Sequence, residues 1–166
     1  MVLKQAINRK KILMLLSCTV CIVIYSCHKD SKVIPADYYF KANKNNIGWG
    51  TVGSTATLPG DSLQLSGLWA GGGEHIFFKI KFKDTGSYPV TLNQAAFFTT
   101  DASGNQTSYY RVDTTRNNMI TIKSYNTKTR IISGIFQLSV LKNSNDPNEY
   151  VPIDFSGGVF RVKLPD

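Results

Sequence analysis

The stretch that most constrains this chain runs from Glu74 to Lys83. Ile76, Phe78, Ile80 and Phe82 fall on one parity, while Lys79, Lys81 and Lys83 fall on the other. A period of two places the apolar set on one face of an extended strand and the lysines on a face open to water. The pattern recurs down the chain, broken by Gly, Asn, Asp and Pro clusters that read as turns. Strands are predicted over Tyr38–Ala42, Gly48–Val52, Ser62–Trp69, Tyr88–Leu92, Ala95–Thr99 and Tyr109–Val112. A long hairpin follows from Met119 to Val140, turning at Asn126–Thr129, and then strands over Val151–Phe155 and Val159–Leu164. About ten short strands at this spacing imply an all-β domain, a single antiparallel β-sandwich or a closed barrel. Leu92 to Phe98 is too short and too rich in β-formers to hold a helix, and no internal repeat or second domain is visible.

The N-terminus has a different character. Lys4, Arg9, Lys10 and Lys11 precede an apolar run from Ile12 to Tyr25, and polar residues follow at once from His28. A helix needs about 20 apolar residues to span a bilayer, and this run is shorter. It fits the roughly 7–15 apolar residues of a secretory leader. Ile24-Tyr25-Ser26-Cys27 resembles a lipobox, with a small residue before the cysteine and an apolar one three before it. Leu15-Leu16-Ser17-Cys18 has a similar form but leaves too little apolar chain ahead of it. The expectation is a lipoprotein signal peptide over residues 1–26, lipid on Cys27, a tether over residues 27–36, and the all-β domain over residues 37–166. The partner this implies is the membrane, reached through the lipid; an apolar chain adds about 0.8 kcal/mol of anchoring per buried CH₂.

With Cys18 and Cys21 in the leader and Cys27 lipidated, none of the three cysteines is left for the folded body. Disulfides, thiolate metal sites and a cysteine nucleophile are therefore excluded there, and the domain must be held by its apolar core. The formal charge of +8 overstates the mature surface, because four of the 19 basic residues lie in the leader and no acid does. No basic run is interleaved with aromatics, so nucleic acid is not an expected partner.

Phe40-Lys41-Ala42 leading to Gly48-Trp49, then Gly86-Ser87-Tyr88, then Ile120-Thr121-Ile122 with Tyr125 stand in a recognisable order. Arg130 to Phe136 and the closing Gly158-Val159-Phe160-Arg161-Val162 complete it. Together these motifs resemble a family of small Bacteroidota envelope lipoproteins that carry a domain of unknown function, over roughly Tyr38 to Leu164. The resemblance implies an all-β fold and no known activity, cofactor or catalytic residue. It also implies an Asn-Gly turn after the first strand, where this chain has Asn43 to Ile47, read as a longer loop. Cys27-His28-Lys29-Asp30 resembles the start of an export signal of surface lipoproteins in this group. Asp61-Ser62-Leu63 and Asp113-Thr114-Thr115 look like its O-glycosylation acceptor triplets.

Chemistry-bearing constellations are sparse. The two histidines are His28, in the tether, and His75, at the start of a strand. No nucleophile-elbow sequence accompanies any serine. Asp61, Asp84, Asp101, Asp146 and Glu149 stand where acids make turns rather than in a pair flanking a cleft. Asp101-x-Ser103-x-Asn105 spaces oxygens like the start of a calcium loop, but the sharp-turn Gly and closing Glu are misplaced. The expectation is a protein that is not an enzyme and takes no metal or cofactor. Trp49, Trp69, Tyr109 and Tyr110 are large enough to contact a ligand, and Trp69 runs into Ala70-Gly71-Gly72-Gly73. Trp69, Tyr109, Tyr110 and His75 are the candidate ligand contacts. The reading is an outer-membrane lipoprotein of the cell envelope, exposed at the cell surface, that binds glycan or protein. Its alternative is a structural or assembly lipoprotein with no small-molecule ligand.

Overall fold

The computed structural model describes residues 38–143 and 151–165. The expected leader and tether, Cys27, His28 and most of the loop from Asn143 to Glu149 lie outside them. Ten strands follow in order: β1 (Tyr39–Lys44), β2 (Ile47–Thr57), β3 (Ser62–Trp69), β4 (Glu74–Lys81), β5 (Gly86–Pro89), β6 (Ala95–Thr100), β7 (Gln106–Val112), β8 (Met119–Asn126), β9 (Ile131–Lys142) and β10 (Pro152–Lys163). All pairings are antiparallel, in the order β10-β1-β2-β3-β4-β6-β7-β9-β8-β5. A further ladder between β10 and β9 closes the ring, so β10, β1, β2, β3, β4, β6, β7 and β9 form an eight-stranded barrel. Of the two all-β architectures, closure selects the barrel, which leaves no edges around the ring.

Strand β9 makes closure possible. One edge runs along β10 from Ile131 to Leu141. The other pairs with β8 from Ile131 to Gln137 and with β7 from Val140 to Lys142. Strands β7 and β8 thus take successive lengths of one edge, and Ser139 stands where the partner changes. The loop between them bridges that point: Asn118 Oδ1 accepts from the Ser139 amide at 2.6 Å, and the Asp113 amide donates to the Ser139 carbonyl at 2.9 Å.

Three local structures differ from the sequence expectation, the first being β5, which spans Gly86–Pro89 where Tyr88–Leu92 was expected. The loop after β1 is a tight two-residue turn, since Lys44 pairs directly with Ile47. Asn45 and Asn46 have φ of 48° and 67°, the left-handed pair that a type I′ hairpin requires and that asparagine tolerates better than other side chains. Asn-Asn therefore serves where Asn-Gly was expected. Val151–Phe155 and Val159–Leu164 are parts of one strand, β10, interrupted by a bulge between Phe155 and Gly158. Gly157, at φ 59°, makes the bend.

Aromatic rings fill the interior. Phe40 lies 4.9 Å from Phe136, 5.8 Å from Phe160, 6.1 Å from Phe78 and 6.4 Å from Trp49, centroid to centroid. Room for them comes from glycines on the neighbouring strand. Phe160 lies against Gly134, its direct partner, and Phe136 lies against Gly158, its direct partner. A small residue beside each large one is how a narrow barrel packs without a void.

Candidate functional site

Strand parity divides the four sequence-nominated residues into two pairs on opposite faces. Trp69 shares its face of β3 with Leu63 and Leu65, both fully buried, and so points into the barrel mouth. Tyr110 shares its face of β7 with buried Val112 and packs on Phe97, 5.2 Å between centroids. Both are half-buried members of the core margin. The glycine run after Trp69 seats its ring, which lies where a Cβ on Gly71 would stand. Trp49 is buried at 3% exposure and is core, not a ligand platform.

A polar cluster sits beside Phe97, the ring on which Tyr110 packs. Glu74 accepts from Trp49 Nε1 at 2.9 Å with one carboxylate oxygen and from Lys44 Nζ with the other. The same ammonium lies 5.3 Å from the Phe97 ring centre, a cation–π contact. The pair is only a fifth to a quarter exposed, at 26% for Lys44 and 20% for Glu74, and it ties β1 and β2 to β4. Glu74→Ala leaves an ammonium and an indole N–H half-buried without acceptors. It is expected to cost about 2 kcal/mol in urea unfolding, with Glu74→Gln costing less because the amide oxygen still serves Trp49.

The second pair is on the outside. His75 pairs with Leu68 on one side and Phe98 on the other, and Phe98 pairs with Tyr109. The register thus draws Leu68, His75, Phe98 and Tyr109 into one lateral row across β3, β4, β6 and β7, outside the barrel. The imidazole and the Phe98 ring stack at 4.5 Å and 5°, and His75 Nε2 lies 3.3 Å from Thr100 Oγ1. Strands are themselves about 4.8 Å apart, so parallel rings at this spacing stand upright from the sheet. Their faces cover one another and their edges meet solvent. Tyr109, at the end of the row, is 37% exposed. Below the row, Phe77 and Arg111 flank Ala96. Among the described residues no ion pair engages Arg111 or Lys79, and no acid faces outward on this part of β3, β4, β6 and β7.

Sequence reading found His75 and Tyr109 but missed Leu68 and Phe98, because each lies on a different strand and only pairing brings them together. The turn from Asp101 to Asn105 is explained by its own hydrogen bonds. Asp101 Oδ1 accepts from the Ser103 and Asn105 amides, both at 2.9 Å, and Oδ2 accepts from Asn105 Nδ2 at 3.1 Å. These bonds, led by the Asn105 side chain, hold the Asp101 carboxyl below its ordinary range. Both oxygens are committed to closing the hairpin.

Residues 36–165 match DUF6252, a domain of unknown function. The chain belongs to the DUF6252 family. The match spans the whole barrel, from before β1 to beyond β10. No curated protein and no solved structure is a match to the chain.

Proposed function

We propose that this DUF6252 protein is a lipid-anchored lipoprotein of the Bacteroidota cell envelope, held in the outer membrane through Cys27, whose barrel is a non-enzymatic binding module. The outward row of Leu68, His75, Phe98 and Tyr109 carries this reading. The barrel interior is filled with side chains, so contact with a ligand falls to the outer wall. An aromatic row rimmed by cations without acids suits a protein partner with an acidic surface. Upright, mutually stacked rings offer edges rather than the open faces on which a sugar would lie, which favours protein over glycan at this row.

Metabolic labelling with a palmitate analogue tests the anchor. Label present in the wild type and lost in Cys27→Ala is the expected result, with the protein then removed from intact cells by protease; label retained in the variant overturns the Cys27 assignment. For the surface, a photo-crosslinking amino acid in place of Tyr109 is expected to give one discrete protein adduct in cells. The same probe replacing Lys123, on β8, gives none. Equal labelling from both positions, or none from Tyr109, would sink the row as a contact surface.

A further inference from the structure

The bulge in β10 has a consequence on the barrel's outer wall. Between Phe155 and Gly158 the ladder with β9 skips, and a basin of about 460 Å³ opens over β9 and β10, roofed on one side by the loop from Asp113 to Asn118. Asn46, Arg116, Asn117, Gln137, Ser139 and Asp154 line it. Bulges commonly re-aim side chains beside functional sites. Leu138, Phe155 and Ser156 complete the lining, so the basin mixes amides and two hydroxyls with apolar edges; its one cation, Arg116, pairs with Asp113 at 3.9 Å, and its one anion is Asp154.

Ser139 in its floor is the decisive residue. It is 5% exposed, and its hydroxyl has no hydrogen-bond partner within the protein. Its backbone is fully engaged by Asn118 and Asp113, so the orphan is the side chain alone. A buried hydroxyl without a partner costs about 1–3 kcal/mol, and such groups in folded proteins call for an explanation. Among the described residues, no hydrogen bond engages the side chains of Asn46, Asn117 or Asp154 either. Gln137 donates weakly to the Asn117 carbonyl at 3.2 Å, leaving its amide oxygen free. The basin continues through Asn117 and Gln137 into a second depression of about 410 Å³, where Ile135 and Val159 are exposed at 43% and 37%.

We propose that this basin is a binding subsite for a neutral pyranose sugar. Pockets that hold small ligands run from about 300 to 1,000 Å³, with a few placed polar groups beside an apolar wall. A pyranose offers what the basin lacks: several hydroxyls that both donate and accept, no charge, and an apolar C–H face for Ile135 and Val159. A ligand hydroxyl that displaces the 3.2 Å bond between Gln137 and the Asn117 carbonyl reaches the covered Ser139 Oγ and supplies the partner it is missing. This goes beyond the proposed protein-binding row, lies on different strands from it, and shares no residue with it.

The test is a two-dimensional amide NMR titration of the full chain in a non-glycosidic detergent. The probes are methyl glucoside, methyl galactoside, methyl mannoside and N-acetylglucosamine at millimolar concentration. Shifts centred on Asn117, Ser139 and Asp154 are expected for at least one probe. Ser139→Ala and Asn117→Ala are expected to weaken that binding by about tenfold. Because the Ser139 hydroxyl has no partner within the protein, Ser139→Ala is also expected to melt no lower than the wild type. Tyr109→Ala leaves the titration unchanged. Silence with all four sugars overturns the subsite, as do shifts confined to the Leu68–Tyr109 row. So does a Ser139→Ala protein that melts lower yet binds sugar as the wild type does. The crosslink from Tyr109 is read separately, so either proposal can fail while the other stands.

Discussion

Gly134→Ala is expected to unfold at a much lower urea concentration than the wild type, with a loss of at least about 3 kcal/mol. A Cβ at this position would stand 2.1 Å from the Thr121 carbonyl oxygen and 2.7 Å from the Phe160 ring. The ring is a side chain and has some room to turn. The carbonyl belongs to the β8 backbone and is held by the ladder, where Thr121 and Ile122 pair with Ile135 and Gly134. Relief therefore requires β8 to lift from β9. Against a total stability of about 5–15 kcal/mol, that is a large fraction. A Phe160→Leu change in the same chain should recover only part of the loss, since the carbonyl clash remains. Gly48→Ala is the control: a Cβ there meets nothing within 4 Å. It should be neutral or stabilise by up to about 1 kcal/mol. Equal effects from the two substitutions would mean that the packing between β8 and β9 does not govern stability.

Asn118→Ala is the second large loss, expected at about 3 kcal/mol by the same measurement. The side chain is 4% exposed and works at both ends. Its nitrogen donates to the Asp113 carbonyl at 2.7 Å and to the Arg116 carbonyl at 3.1 Å. Its oxygen accepts from the Ser139 amide at 2.6 Å. One amide thus closes the gap that β9 leaves between its two partners, and alanine would orphan the Ser139 amide and the Arg116 carbonyl, leaving the Asp113 carbonyl with the Arg116 amide alone. Asn118→Asp should be no better, because a carboxylate turned toward two carbonyls replaces attraction by repulsion. Hydrogen exchange gives the residue-level check. The Ser139 amide should lose protection before those of Ile132 or Val162 do. Unchanged protection at Ser139 would show that the loop is held by something else.

These two residues also mark how far the sequence could be read. Gly134 and Phe136 were legible as one face of one strand, because the alternation from Ile132 to Val140 is local. That Gly134 is small because Phe160 lies across it was not legible, since the two are joined only by the pairing of β9 with β10. Asn118 read as part of a loop. Its role depends on Ser139, 21 residues later, standing where the partner of β9 changes. The same limit applied to the candidate contacts. Parity placed His75 with Lys79 on the water face, but it did not separate Tyr110 from Tyr109 until the inward face of β7 was known. The basin at Ser139 had no sequence signal at all, as its lining comes from four separate stretches of chain.

The sequence by itself determined the class of the fold. Period-two alternation, turn residues between the runs and the absence of cysteine from the body leave an all-β domain held by an apolar core, because those signals act over a few neighbouring residues. Only the tertiary structure decided that the sheet closes, that Asn45-Asn46 is a tight turn, and that β10 is one bulged strand. It alone decided that Trp69 and Tyr110 join the core margin while Phe98 and Tyr109 stand outside. Closure depends on β10 meeting both β1 and β9, and on β9 changing partner at Ser139. Those are hydrogen bonds between residues far apart in sequence. A strand's own side-chain pattern fixes which residues share its face, but not which strand lies beside it or in what register.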